Sequence, residues 1–287
     1  MRSLFAFFSL TFIVSWSLWI AAAAILRTPT SQPAGMAAIS GVLYALGVFA
    51  PALVALALAA RAGGRSAVLS LLRPTLRWSV AARWYVFALG YMAAIKLAAA
   101  LVHRIATGEW PAFGQEPLYL MAIAIPFSTP VQAGEEIGWR GYALSPLSVR
   151  LGLSGASVLL GLIWAFWHLP FFFIPGTDKS GQSFPMYLLS VTALSVAMAW
   201  LYWQTGRSLL LTMLMHAAVN NTKDIVPSAV PGAMNSFHLG SSRIAWLSVA
   251  ILWTVASYFL VRMRRVRLQD VEQAASDTGA NTSTESI

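Results

Sequence analysis

Gly134-Glu135-Glu136-Ile137-Gly138-Trp139-Arg140 sets two adjacent carboxylates and a guanidinium inside residues 118–143, a run otherwise apolar enough to cross a bilayer. A charged side chain at the centre of a membrane helix costs about 2.5–3.5 kcal/mol on insertion scales. Such residues face a bundle interior or a water-filled cavity rather than lipid. The stretch therefore predicts a helical membrane protein and marks where its chemistry lies.

The composition agrees. Of 287 residues, 58% are hydrophobic and only 10% charged, and the mean hydropathy is +0.67, too apolar for an ordinary soluble domain. With no cysteine in the chain, disulfides and thiolate-ligated metals are excluded. A net charge of +9 could suggest nucleic acid, but the arginines fall between apolar runs, where membrane topology signals belong. No nucleic-acid partner is expected; the lipid bilayer is.

A spanning helix needs about 20 mostly apolar residues. Eight segments qualify: 4–26, 36–60, 84–103, 118–143, 153–174, 184–204, 208–222 and 243–263. The fold class is thus all-α, a polytopic integral membrane protein of about eight transmembrane helices. The first run is longer than a signal-peptide core, so it reads as an uncleaved helix. Pro126 and Pro130 predict a kink in the fourth span. The seventh span is short. Residues 1–267 read as a single helical domain with a catalytic core at about 118–222, and the polar stretch 268–287 as a disordered cytoplasmic tail.

Arg61, Arg65, Arg73, Arg77 and Arg83 flank the link between the second and third spans, and Arg262, Arg264, Arg265 and Arg267 follow the eighth. Arg2, Arg150 and Arg207 fall on the same side. The opposite loops carry Arg27, Arg104, Lys179, Lys223 and Arg243. The positive-inside rule then puts both termini in the cytoplasm, and the short loops favour a bacterial inner membrane. This orientation sets Glu135, Glu136 and Arg140 toward the cytoplasmic leaflet. His168, late in the fifth span, is then too deep to match them.

Residues four apart share a helix face, and adjacent ones point about 100° apart. Glu136 and Arg140 are therefore partners, which leaves Glu135 free for another task. Trp164 and His168 share a face on the fifth span, as do His216 and Asn220 on the seventh. Three helices could together supply a carboxylate base, two imidazoles and an amide, a set suited to hydrolysis. Glu135 could take a proton from water. The imidazoles could orient that water, hold a metal or serve an oxyanion, and the Asn220 amide is a neutral donor for developing negative charge. Glu136, Arg140 and Trp164 are structural support. His103 and His238 receive no role.

Other signatures are missing or misplaced. There is no His-Glu-x-x-His and no P-loop. Gly152-Leu153-Ser154-Gly155 spells a serine-protease-like Gly-x-Ser-Gly, but Ser154 reads better as a helix N-cap.

The three polar pairs resemble the motifs of the CPBP family of intramembrane proteases, which includes type II CAAX prenyl endopeptidases and the bacterial Abi or bacteriocin-processing proteins. Glu135, Glu136 and Arg140 match Glu-Glu-x-x-x-Arg. His168 matches Phe-x-x-x-His, with Trp164 in place of the phenylalanine. His216 and Asn220 match His-x-x-x-Asn. The resemblance covers about residues 118–222.

It implies a glutamate-dependent endopeptidase. Glu135 would activate water, His168 would position it, and His216 with Asn220 would stabilise the oxyanion. If a metal takes part, the resemblance makes Glu135, His168 and His216 the ligands, with zinc as the ion. The implied partner is a peptide or protein substrate, prenylated in the eukaryotic branch and left open here. Two other readings compete: a proton-coupled transporter, since buried Glu and His also mark ion paths, and a non-catalytic immunity or binding protein on the same fold.

Overall fold

In the computed structural model, residues 2–26, 34–114, 117–222 and 243–266 are described. Arg27, Lys223, His238, Arg267 and the tail 268–287 lie outside them. Every described element is helical, and six helices are long and apolar enough to cross a membrane. This is an all-α polytopic membrane protein. The helices are α1 (Arg2–Leu26), α2 (Ala34–Leu72), α3 (Ala82–Thr107), α4 (Leu118–Ser128), α5 (Ala133–Glu136), α6 (Ser145–Trp167), α7 (Phe184–Gln204), α8 (Leu209–Asn221) and α9 (Arg243–Met263).

Two boundaries differ from the sequence expectation. The second span does not stop near residue 60 but runs to Leu72, bending at Gly63 and Gly64. The fourth and fifth spans are not separated by a loop at 144–152. Helical structure continues from Leu118 to Trp167 as one apolar path, broken at Gly152, whose φ of 67° is open mainly to glycine. Glu135 lies seventeen residues before that break and His168 sixteen after it. The two therefore stand at comparable positions along their arms, on opposite sides of the break.

The prolines act as their chemistry predicts. Pro126 lies in α4, and Pro130 lies in a 3-10 turn, Thr129–Gln132. Lacking an N–H, proline cannot continue the helical ladder, and the backbone tightens. After the single α turn of α5 the chain widens into a π-helical segment, Ile137–Leu144, a geometry frequent at functional sites.

Glycines decide how closely α2 approaches this segment. A Cβ on Gly138 would stand 2.7 Å from the Pro51 carbonyl oxygen, and one on Gly134 would stand 3.2 Å from Phe49 Cα. The Gly134-x-x-x-Gly138 spacing thus lets backbone meet backbone, as small residues do between membrane helices. Gly161 does the same for α6 against α7, where its Cβ would lie 2.7 Å from Thr192 Cα.

Ser154 does not cap a helix. Its hydroxyl donates to Leu260 O at 2.7 Å, and the Leu153 N–H donates to Val266 O at 2.8 Å. A new arm of α6 starts just after the break at Gly152, but Ser154 lies inside its first turn, and its hydroxyl ties α6 to α9 instead.

Candidate active site

Helix α8 runs antiparallel to the segment from Thr129 to Ser145 and in register with it. Arg207 Nη2 donates to Ser145 Oγ at 3.3 Å, and nine residues further along each chain His216 Nδ1 meets Glu136 Oε1 at 3.0 Å. One more turn brings Asn220 Nδ2 to 3.5 Å from Gln132 Oε1. Ser208 begins α8 by accepting from the Leu211 N–H at 3.3 Å and donating to Arg77 O at 2.6 Å. The site is thus built where α8 lies along the segment that carries the two glutamates.

The adjacent glutamates have separate surroundings. Glu136 is fully buried. Its Oε1 accepts from Arg140 Nη1 at 2.8 Å and from His216 Nδ1 at 3.0 Å. Arg140 is also fully buried, and its guanidinium lies 4.4 Å from the Trp164 ring centroid. Glu135, 6% exposed, turns the other way, and its Oε2 accepts from the Trp164 indole N–H at 2.6 Å. No hydrogen bond occupies Oε1 of Glu135 among the described residues.

The two imidazoles have defined tautomers. Trp164 O can only accept, so His168 Nδ1, 2.9 Å away, carries the proton. Glu136 Oε1 already accepts from an arginine, so His216 Nδ1 donates as well. In their neutral forms both rings keep an Nε2 lone pair. His168 can then accept a hydrogen bond from water, whereas His216 serves an oxyanion only when its Nε2 is protonated too.

Aromatic packing holds the frame. Trp167 Nε1 donates to Ser15 Oγ at 2.8 Å, Ser15 Oγ donates to Gly47 O at 2.8 Å, and Trp16 Nε1 donates to Trp167 O at 2.9 Å. Helices α1 and α2 thereby brace the residue next to His168. Lys179 extends over the Phe171 and Tyr187 rings at 5.7 and 5.5 Å, and both rings contact His168.

Glu135, Glu136, Arg140, Trp164, His168 and His216 are thus one connected cluster. Asn220 stands at its margin: it is exposed, and its contact is with Gln132 rather than with either histidine. His103 is far off at the end of α3, bonded to Glu109 O and Thr107. Gln132 was missed by the sequence reading, although a buried polar residue one turn before Glu136 was visible in the spacing. Among the described residues no three His, Asp or Glu side chains converge at metal-ligand distances. Glu135, His168 and His216 offer the donor chemistry zinc takes, but among the described residues they do not gather into a group that could hold the ion.

Residues 115–222 match the family model of type II CAAX prenyl endopeptidases, described as Rce1-like. That stretch is similar to the Rce1-like family. The matched segment begins just before α4 and ends with α8, so it contains every member of the cluster and bears out the resemblance carried by the motifs. Among curated proteins, CAAX prenyl protease 2 of Methanococcus maripaludis is 29% identical over 115 residues, 38% of this chain and 40% of that protein. The chain therefore spans about two-fifths of that relative's length.

Proposed function

We propose that this protein is an intramembrane endopeptidase, CAAX-protease-like, in which Glu135 activates water. The observation that carries this reading is the division of labour between adjacent carboxylates. Glu136 is committed to Arg140 and His216, while Glu135 keeps one oxygen uncommitted.

Water attacks the peptide carbonyl carbon as Glu135 Oε1 takes its proton. His168 Nε2 accepts from the second water hydrogen and aims the lone pair. The carbonyl oxygen becomes an oxyanion, which accepts from the Asn220 amide and from protonated His216 Nε2. Collapse breaks the C–N bond, and Glu135 returns its proton to the leaving amine. General acid–base catalysis of this kind contributes about 10²–10⁴-fold, and oxyanion donors a comparable factor. The Glu136–Arg140 pair keeps the cluster electrically tolerable in an apolar bundle.

The substrate class we propose is a peptide or protein tail that reaches the membrane interior; a prenylated C-terminus fits the Rce1-like segment. The arginine-rich end faces the cytoplasm of a bacterial inner membrane in this reading. Proteomics of membrane fractions tests the proposal by comparing protein C-termini and released peptides in cells carrying wild type or Glu135→Gln. New termini present only with wild type are expected. Identical termini, with the biological effect retained by the variant, would point to the binding role instead.

A further inference from the structure

We infer that Trp164 is the positioning residue of this site, holding the Glu135 carboxylate by its indole N–H so that one defined oxygen faces the water. The inference rests on the reading of Glu135 as the base. It concerns a point where this chain departs from the motif it resembles, since a phenylalanine at this position has no donor to offer.

Four contacts converge on this one residue. Its Nε1 donates to Glu135 Oε2 at 2.6 Å, short enough for a charge-assisted bond. Its ring lies under the Arg140 guanidinium at 4.4 Å and stands edge-on to the His216 ring at 5.1 Å. Its main-chain oxygen accepts from His168 Nδ1 at 2.9 Å and so fixes that tautomer. Trp164 is 2% exposed, which keeps water from competing for the indole N–H.

The physical need is specific. The terminal torsion of a glutamate is broad and nearly two-fold, so an unanchored carboxylate samples many orientations. Anchoring Oε2 leaves Oε1 as the reacting oxygen and holds it near an attack geometry. The ring contacts with Arg140 and His216 survive replacement by another aromatic residue; the N–H contact does not. The two functions of Trp164 are therefore separable.

The test uses the full-length protein in proteoliposomes, with a fluorogenic peptide ending in a prenylated CAAX sequence as the probe. Trp164→Phe keeps a ring. Incorporation of 3-benzothienylalanine at position 164 keeps the fused ring system and replaces N–H with sulfur. Both are expected to lower kcat about 10-fold or more, with KM changed less than about 2-fold and the thermal midpoint retained for the benzothienyl protein. Full kcat in the benzothienyl protein would overturn the inference. If Glu135→Gln is inactive in the same assay, that outcome leaves the base assignment standing; if Glu135→Gln is active, both fall.

A spectroscopic arm needs no substrate. The ultraviolet resonance Raman difference between wild type and Trp164→Phe isolates this indole. It should report a strong N–H hydrogen bond that disappears in Glu135→Ala. A weak bond in wild type, or no change in Glu135→Ala, overturns the inference even if the probe is not cleaved.

Discussion

The same side chain does two jobs at two places in this molecule. Arg140 is fully buried inside the bundle, bonded to Glu136 and stacked over Trp164. At one end of the bundle Arg61, Arg65, Arg73, Arg77, Arg83, Arg150, Arg262, Arg264 and Arg265 are all exposed, and among the described residues none has a carboxylate partner. A guanidinium inside an apolar bundle must be neutralised by a neighbour, because removing it from water costs several kcal/mol. An exposed guanidinium keeps its water and needs no such neighbour. The number of arginines therefore says little about the site; the one that is buried says most.

The comparison breaks most visibly at the buried member. Arg140→Ala leaves Glu136 without its ion-pair partner in the interior and is expected to cost about 3–5 kcal/mol. The thermal midpoint in detergent and the abundance in membranes should both fall, whereas a midpoint equal to wild type would remove Arg140 from its structural role. A smaller loss is expected from Gly138→Ala. Its new methyl meets the Pro51 carbonyl oxygen, and overpacking of this kind costs about 1–3 kcal/mol. The same change at Gly35 has nothing within 4 Å to meet and serves as the control.

At the exposed end the expected effect on stability nearly vanishes. Arg73→Gln and Arg77→Gln should each stay within about 0.5 kcal/mol of wild type, read from the same melting curves. Their role should appear in topology. Because the chain has no cysteine, Arg77→Cys and Lys179→Cys give clean single-site labels. An impermeant maleimide applied to intact cells should label the Lys179 position and not Arg77; the reverse pattern would invert the orientation. Chelation, with metal removal verified, should leave turnover unchanged, since no three ligands converge in the site. Loss of activity restored by zinc would show that His168, His216 and Glu135 close around an ion.

Much of the site was legible in spacing alone. Glu136–Arg140 and Trp164–His168 follow from the four-residue repeat of a helix, and both contacts are present at 2.8 and 2.9 Å. What spacing cannot give is which helices face each other and at what height. The bond from Trp164 to Glu135 and the bond from His216 to Glu136 join different helices, so no local rule predicts them. The end of the fourth span was set too early, because residues 144–151 are polar enough to suggest a loop while the backbone stays helical until Gly152. A helical arm does begin after Gly152, but the Ser154 hydroxyl bonds to α9 rather than capping it, a contact between helices that spacing does not reveal. Gln132 could have been found, since it lies one turn before Glu136.

The central claim is that two carboxylates joined by a single peptide bond have different tasks, Glu135 reactive and Glu136 structural. Turnover and thermal midpoint of purified Glu135→Gln, measured side by side with Glu136→Gln in the same lipid, test it most directly. The account predicts that Glu135→Gln keeps the wild-type midpoint while kcat falls at least about 10²-fold, and that Glu136→Gln melts lower. Wild-type turnover in Glu135→Gln would contradict it.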